Sequence, residues 1–164
     1  MTNLSIRPAR SGDEGAIYRL LHGLAEYEKL LWRFHLTREA VIRDYLCDNP
    51  LIHAELAFES DVAVGIATWF WTYAGFAARR GLYIEDLFVL PQCRGRGTGK
   101  ALMAHLAKIA AQAGAVRIDW NVLDWNQPSI DFYEGLGARP QEGGLYYRLD
   151  GEALKKMATD RESP

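Results

Sequence analysis

The chain has 164 residues, of which 49% are hydrophobic and 24% charged, and its formal net charge at pH 7 is −2. This length suits one domain with its own core, so a single domain is expected over residues 1–164. Nucleic acid is not an expected partner, because duplex binding needs a basic face. No signal-peptide pattern opens the chain and no apolar run approaches the roughly 18 residues of a membrane span, so we expect a cytoplasmic protein without membrane partners.

Hydrophobic periodicity and turn signals predict a strand, two helices and two further strands in the first half of the chain. A strand at 4–7 ends at Pro8, and a Ser11–Glu14 capping box opens a helix that runs to Tyr27. The remaining elements of this half are a helix from Thr37 to about Cys47, strands at 52–59 and 62–73, and a loop at 74–81.

The second half alternates strands with helices. Its predicted elements are a strand at 82–90, a helix at 99–113, a strand at 115–123, a helix that Asn126 caps, a strand at 143–149 and a short polar helix to about Ala158. Three consecutive strands in mid-chain favour a mixed sheet over a purely parallel one, in an α/β fold. The cysteines form no CxxC pair and the histidines have no metal-ligand spacing, so no metal is expected.

The most informative segment is a loop with three glycines and three cations between the strand at 82–90 and the helix at 99–113. Its residues are Arg94, Gly95, Arg96, Gly97, Thr98, Gly99 and Lys100. Glycines let successive backbone N–H groups converge on an anion, and the helix N-terminus adds partial positive charge. Arginines can also fork onto phosphate oxygens. The loop therefore predicts a phosphorylated ligand, with a pyrophosphate as the first choice.

Two common nucleotide motifs do not match this loop. A Walker A loop needs a glycine where Arg94 stands, and a Ser or Thr where Ala101 follows the lysine. A dinucleotide fingerprint needs GxGxxG in the first βα unit, whereas this loop reads GxGxG and lies past the middle of the chain. Asp119 has the spacing of the ribose-binding acid but lies inside a predicted strand.

With its flanks, the loop resembles the cofactor signature of the GNAT superfamily of N-acetyltransferases, Gln/Arg-x-x-Gly-x-Gly/Ala after a long strand. Asn126, Tyr133 and Gly135 are similar to that family's second cofactor element. The segments 6–9, 24–28, 82–89 and 125–129 resemble the diamine (spermidine/spermine and thialysine) acetyltransferase branch, and the similarity covers residues 4–158. The resemblance implies a central, mostly antiparallel mixed sheet of six to seven strands flanked by helices. It also implies two splayed parallel strands that bind acetyl-CoA, and a homodimer.

The resemblance assigns cofactor and catalytic roles to particular residues. Cofactor contacts are implied for Leu87, Phe88, Val89, Arg94, Gly95, Arg96, Gly97, Thr98, Gly99, Lys100, Asn126 and Ser129. Glu85 is the expected base, acting directly or through water, and burial in an apolar strand supports a functional carboxylate there. Tyr133 is expected to donate a hydrogen bond to the departing thiolate. Asp86 is expected on the opposite face of the sheet by strand alternation.

The acceptor is expected to be a small cationic primary amine. The resemblance implies a lining of Tyr27, Glu28, Glu85, Asp119, Trp120, Asn121 and Glu142. Ala74 replaces an acidic residue of the polyamine pattern and the same loop carries Arg79 and Arg80, which favours a lysine-like amine that also bears a carboxylate. The expected reaction is direct acetyl transfer in a ternary complex. Two alternatives remain: acetylation of a protein lysine or N-terminus, and a non-catalytic CoA-binding module.

Overall fold

A computed structural model describes residues 4–159, and the chain divides into two compact units, residues up to Trp125 and residues from Asn126 onwards. The expected single domain over 1–164 includes residues 1–3 and 160–164, which lie outside the described residues. The first unit contains every strand of the sheet and three α-helices. The second contains two α-helices.

The first unit is built on a five-stranded sheet whose strands lie side by side in chain order. They are β1 (Leu4–Pro8), β2 (His53–Glu59), β3 (Val62–Ala74), β4 (Arg79–Val89) and β5 (Ile118–Trp120). β1 to β4 pair antiparallel, and β5 pairs parallel with β4. The mixed, mostly antiparallel sheet is confirmed, but six to seven strands is wrong for the described residues, which form five.

Helices cover both faces of this sheet. Those of the first unit are α1 (Glu14–Tyr27), α2 (Arg38–Tyr45) and α3 (Thr98–Gln112). α1 and α2 pack on one face, where Ile17 and Val41 join a buried cluster with Ile66 and Phe88. α3 lies on the other face, and a Cβ added at Gly65 would come within 3.3 Å of Leu102 Cδ1. Cover on both faces explains why β2 and β3 are buried over continuous runs.

Three predicted boundaries in this unit are corrected. Ser11 does not cap α1, which begins at Glu14 after Asp13; the Asp13 carboxylate accepts hydrogen bonds from Arg7 and the Arg10 amide instead. β4 begins at Arg79, because the expected loop is reduced to a short 3₁₀ turn, Gly75–Ala77. The strand expected at 115–123 pairs only over three residues, as β5.

The second unit contains α4 (Gln127–Gly135) and α5 (Gly151–Thr159). Both helices were predicted, but the strand expected at 143–149 is wrong, because those residues form no regular element. Asn126 precedes α4 as predicted, although its side chain makes no capping hydrogen bond. Residues 143–149 include two strand-favouring tyrosines, but composition alone supplies no neighbouring strand for pairing.

A buried carboxylate ties α3 to the sheet. Glu55 on β2 is only 3% exposed, and His105 on α3 places Nε2 2.9 Å from Glu55 Oε2. The indole N–H of Trp69 donates to the other carboxylate oxygen at 3.4 Å, and His53 stacks on the same indole. A carboxylate removed from water needs such donors, so this contact helps fix the position of α3.

We expect His105→Ala to lower the free energy of unfolding by about 2–3 kcal/mol, because Glu55 would stay buried without its closest donor. Urea denaturation measures the change. The double variant Glu55→Gln/His105→Ala should recover part of the loss, because it removes the buried charge as well. Lys108→Ala, an exposed change on the same helix, is the control and should cost less than about 0.5 kcal/mol. Equal losses in the single and double variants would contradict this account.

Candidate active site

β4 contains a bulge at Glu85, which has no residue opposite it. The register with β3 pairs Asp86 with Thr68 and Ile84 with Trp69, so two residues of β3 face three of β4. A bulge of this kind bends a strand and increases its local twist. The pairing with β5 also ends here, at Ile84 and Trp120. The bulge therefore coincides with the point where β4 and β5 part.

Beyond the bulge, one edge of β4 is open. The Leu90 amide donates to Val64 of β3, so by alternation the amide and carbonyl groups of Leu87 and Val89 face the opposite edge. β4 continues to Val89, five residues past its last pair with β5. Within residues 4–159, no strand pairs with this edge there. Such an edge can accept an extended amide-bearing ligand as an added strand.

The glycine-rich loop turns from this edge into α3. Gly95 and Gly97 have φ values of +75° and +88°, a region that side chains disfavour, and a Cβ at either would point into open space. α3 begins at Thr98 with no acidic residue in its first turn. The Thr98 hydroxyl is buried and has no hydrogen-bond partner among the described residues. A helix N-terminus, an open backbone turn and an unpartnered donor together fit a pyrophosphate.

The two arginines of the loop contact protein groups. Arg94 Nε donates to the Val89 carbonyl at 2.9 Å, and its guanidinium lies 4.6 Å from the Tyr27 ring centroid. Arg96 donates to Glu59 at 3.3 Å. To bind a phosphate, Arg94 and Arg96 would have to break these contacts with protein groups. The part of the loop that is already arranged for an anion is therefore its backbone.

Acidic groups cluster on the α1 face next to the bulge. Asp86 accepts a 2.6 Å hydrogen bond from the Thr68 hydroxyl. Burial, with a contribution from Glu85, raises the Asp86 pKa from 3.8 to about 6, against the lowering effect of Thr68. Burial and the Asp86 charge likewise raise the pKa of Glu28. Burial, followed by the charges of Asp86 and Glu85, also raises the pKa of Tyr45. Because their charges affect one another, these side chains lie close together. A bound cation would neutralise the negative charge that they share.

The structure corrects the expected burial and orientation of Glu85 and Asp86. Burial in an apolar strand was the argument for Glu85, but Glu85 is exposed at the bulge, whereas Asp86 is partly buried with a strongly desolvated carboxyl group. The prediction of opposite faces assumed regular alternation, which a bulge interrupts. Both carboxylates influence Tyr45. The structure therefore brings Asp86 into the cluster that sequence alternation excluded it from.

β5 and the segment after it border the same region. Asp119 is opposite Tyr83 of β4, and its carboxylate accepts a 2.7 Å hydrogen bond from Arg117. The Asn121 amide donates to the Tyr83 hydroxyl at 2.8 Å. Trp120 is opposite Ile84, at the last pair before the strands part. The three expected lining residues Asp119, Trp120 and Asn121 thus lie at the divergence of β4 and β5.

Four expected site residues lie in the second unit. Asn126 is buried, and its carbonyl accepts from the Ser129 and Ile130 amides in the first turn of α4. Tyr133 is half-buried in α4, with its ring centroid 5.2 Å from that of Phe132. Glu142 is exposed in the irregular segment that follows α4. The roles of these residues stay predictions.

Arg79 and Arg80 lie at the far end of β4 from the acidic cluster. Six residues separate Arg80 from Asp86, which is roughly 20 Å along an extended strand. The Arg80 guanidinium lies over the Trp71 ring at 5.3 Å. With Tyr73 and Gly114, both arginines line a shallow cavity of about 410 Å³. The expectation that they select a carboxylate-bearing amine is therefore not supported by their position.

Sequence reasoning missed Tyr45 and Trp125. Tyr45 ends α2 and is influenced by the charges of Asp86 and Glu85. The Trp125 ring centroid lies 6.2 Å from that of Tyr27. Tyr45 has no sequence signal beyond its type, and Trp125 entered only as the first residue of the 125–129 segment. Both contacts arise from the packing of elements distant along the chain. In the described part of the chain, no group of three potential metal ligands lies together and no helix could cross a membrane.

Comparison with known proteins bears on the family and the fold of this chain. The sequence model of the Acetyltransferase (GNAT) family matches residues 17–138, and the chain belongs to that family. A thialysine N-epsilon-acetyltransferase of Mus musculus is 33% identical over 169 aligned positions, which cover 96% of this chain and 99% of the relative. The spermidine/spermine N(1)-acetyltransferase-like protein 1 of Homo sapiens is also 33% identical, over 96% of this chain and 24% of its own length.

A solved structure shows the same fold. The integron cassette protein from the mobile metagenome of V. cholerae has a TM-score of 0.81 at 24% identity, covering 98% of this chain and 99% of its own. The family match and the named relatives make this chain an acyltransferase enzyme, an acetyltransferase of the GNAT family. The resemblance inferred from the glycine loop and the 82–89 segment is confirmed.

The raised pKa of Asp86 gives a prediction about stability. Because the folded protein binds this proton more tightly than the unfolded chain, the free energy of unfolding should fall as the pH rises from about 4 to 6. The shift corresponds to at most about 3 kcal/mol. We expect Asp86→Asn to raise the free energy of unfolding at pH 8 by about 1–2 kcal/mol and to change it less at pH 4.

Urea denaturation at the two pH values checks this prediction. Asp61→Asn, an exposed change in the turn between β2 and β3, is the matched control and should give the same small difference at both. An Asp86→Asn effect that does not depend on pH would show that the carboxyl is not desolvated as described.

Proposed function

We propose that this protein transfers the acetyl group of acetyl-CoA to a primary amine of a small cationic molecule. The observation that supports this most strongly is the bulge of β4, with an open strand edge and glycine loop on one side and an acidic cluster on the other. The edge and loop suit the donor, and the cluster suits a cation. Relatives named for thialysine and for spermidine/spermine support a diamine, polyamine or lysine-like acceptor.

Donor binding would use backbone groups first. In this proposal, Leu87 and Val89 pair with the pantetheine arm, and the amides of the loop from Arg94 to Lys100 receive the pyrophosphate. The unpartnered Thr98 hydroxyl adds a donor at the start of α3. By the resemblance, Asn126 and Ser129 contact the same arm. Acetyl-CoA, when bound, supplies the thioester carbonyl that the amine attacks.

The chain must supply a proton acceptor, because an aliphatic amine with a pKa near 10.4 is almost entirely protonated at pH 7. Glu85 is the proposed base, directly or through water, and its exposure at the bulge gives solvent and substrate access. Glu85 accepts the ammonium proton before the attack. As the C–N bond forms and the C–S bond breaks, the second proton lost by nitrogen passes to the CoA thiolate, which leaves as CoA thiol. Tyr133 is proposed to donate a hydrogen bond to the departing thiolate. No acyl-enzyme is needed.

The amine would be held by the acidic cluster. Glu28 and Asp86 attract a protonated amine, and Tyr27 offers an aromatic face for a cation. Asp119, Trp120 and Asn121 would form the edge of this site, and Glu142 is a further proposed contact by resemblance. Because Arg79 and Arg80 lie far along β4, both diamines or polyamines and lysine-like amino acids fit the proposal.

Release of CoA thiol from acetyl-CoA across an acceptor panel tests the proposal. The panel contains spermidine, a short diamine, lysine, thialysine and lysine-containing peptides. We expect turnover of the small cations, at a kcat/KM at least about tenfold above that for the peptides. A preference for peptides would favour a protein acetyltransferase. CoA binding without turnover of any acceptor would favour a non-catalytic module.

Substitution of Glu85 tests the proposed base. We expect Glu85→Gln to lower kcat at pH 7 by about 10²- to 10⁴-fold, the usual contribution of a general base, while affinity for CoA changes little. Equilibrium dialysis with CoA provides the second measurement. Glu26→Gln, an exposed change on α1, is the control for loss of one carboxylate. Unchanged kcat in Glu85→Gln would remove Glu85 as the base and make Asp86 the next candidate.

We further propose that the chain is a cytoplasmic homodimer and that residues 1–164 act as one domain. Support for self-association comes from the second unit, where Leu145, Tyr146 and Tyr147 are 81%, 73% and 82% exposed. Apolar side chains this exposed often mark an interaction surface.

Light scattering after size-exclusion chromatography should give twice the chain mass of 18.5 kDa. Leu145→Ser/Tyr147→Ser should shift the protein toward monomer, because the substitutions remove apolar area from the exposed segment. The control is Leu51→Ser, which changes a side chain that is 78% exposed in the first unit. A monomeric wild type would contradict the proposal.

A further inference from the structure

Arg94 contacts groups that belong to both proposed substrate sites. Its Nε donates to the Val89 carbonyl at 2.9 Å, and its guanidinium lies 4.6 Å from the Tyr27 centroid and 5.5 Å from that of Phe88. The side chain thus runs from the glycine loop to the open edge of β4 and to the C-terminal end of α1. The residue is exposed, so its side chain has room to move.

On the donor side, Arg94 occupies a carbonyl at the open strand edge. The Val89 carbonyl faces away from β3, where a ligand added as a strand would pair. One hydrogen bond to this carbonyl from Arg94 therefore competes with pairing by a pantetheine amide. A pyrophosphate on the loop would meanwhile offer Arg94 a stronger, charge-assisted partner.

On the acceptor side, the same guanidinium covers an aromatic ring. Tyr27 precedes Glu28, whose pKa is raised by burial and by Asp86, and its ring lies 6.2 Å from that of Trp125. A cation over this ring occupies the face that a cationic amine would use, and it also repels a second cation. Arg94 in this position weakens amine binding.

We propose that Arg94 couples the two sites: it holds the Val89 carbonyl and the Tyr27 ring in the free protein, and it leaves both when a donor pyrophosphate binds the loop. This inference rests on the proposed function and deepens it. Donor binding then opens the ring face and removes a positive charge from it, so the amine binds more tightly to the donor complex. Arg94 is a positioning residue here, and it acts before any bond is made or broken.

Isothermal titration calorimetry with CoA, which cannot transfer an acetyl group, tests the coupling without turnover. Spermidine and thialysine are the probes, titrated into protein with and without saturating CoA. We expect CoA to increase amine affinity about three- to tenfold, the scale of one exposed cation–π contact or one hydrogen bond. Linkage requires a saturating amine to increase CoA affinity by the same factor, which is an internal check.

Arg94→Gln should bind the amine about three- to tenfold more tightly than wild type without CoA, and its coupling factor should fall to near one. Arg96→Gln is the matched control, because it removes a loop arginine whose guanidinium donates to Glu59 of β2. It should bind CoA more weakly but keep the wild-type coupling factor. Arg94→Lys, which keeps the charge without the planar stacking group, provides a second variant if the glutamine variant does not fold, and its coupling factor should be reduced.

The outcomes separate this inference from the function on which it rests. An acetyltransferase whose wild-type coupling factor is one, or whose Arg94 variants keep the wild-type factor, would overturn the coupling role and leave the proposed function intact. A wild-type protein that binds neither probe and turns over neither would overturn both. Reduced coupling in the Arg94 variants together with retained coupling in Arg96→Gln would establish the role.

Discussion

The bulge at Glu85 is the constraint on which the rest of the site depends. One extra residue in β4 changes the pairing from Ile84–Trp69 to Asp86–Thr68 and coincides with the end of pairing to β5. Past this point, Leu87 and Val89 present main-chain groups to an open edge, while Asp86 lies toward the carboxyl of Glu28. A regular strand would continue its pairing with β5 and leave no edge for a donor. The features assigned to the proposed donor and acceptor sites thus both adjoin one irregularity of β4.

The acidic cluster opposes the stability of the fold that holds it. Asp86, with a pKa near 6, is ionised at neutral pH although its buried surroundings disfavour the charge. Burial also raises the pKa of the nearby Glu28. The Thr68 hydroxyl offsets only part of this effect. Groups kept in such a state are typical of sites that gain from a ligand of opposite charge. A bound ammonium group would relieve the desolvation and repulsion that the free protein retains.

Local sequence pattern predicted the elements whose periodicity and turn residues lie within the element itself. The helices α1 and α2 and most of the long strands β3 and β4 were predicted from local periodicity and turn signals. Features that depend on pairing with a distant part of the chain could not be predicted in this way. The strand expected at 143–149 contains strand-favouring tyrosines but forms no regular element. β5 has only three residues because its pairing with β4 ends at the bulge. The position of Asp86 depends on a bulge, which alternation along one sequence does not reveal.

In the glycine loop, backbone geometry requires the glycines but not the arginines. Gly95 and Gly97 adopt positive φ, which other residues disfavour, so their identities follow from the backbone path into α3. The neighbouring arginines have no such requirement, and both contact protein groups: Arg94 contacts the edge of β4, and Arg96 contacts a carboxylate on β2. In the proposed anion site, main-chain amides and a helix terminus are therefore the preformed part, and both arginine side chains contact other protein groups. In this proposal the glycines shape the backbone that would contact the anion, and the arginines would remain able to link a bound anion to β4.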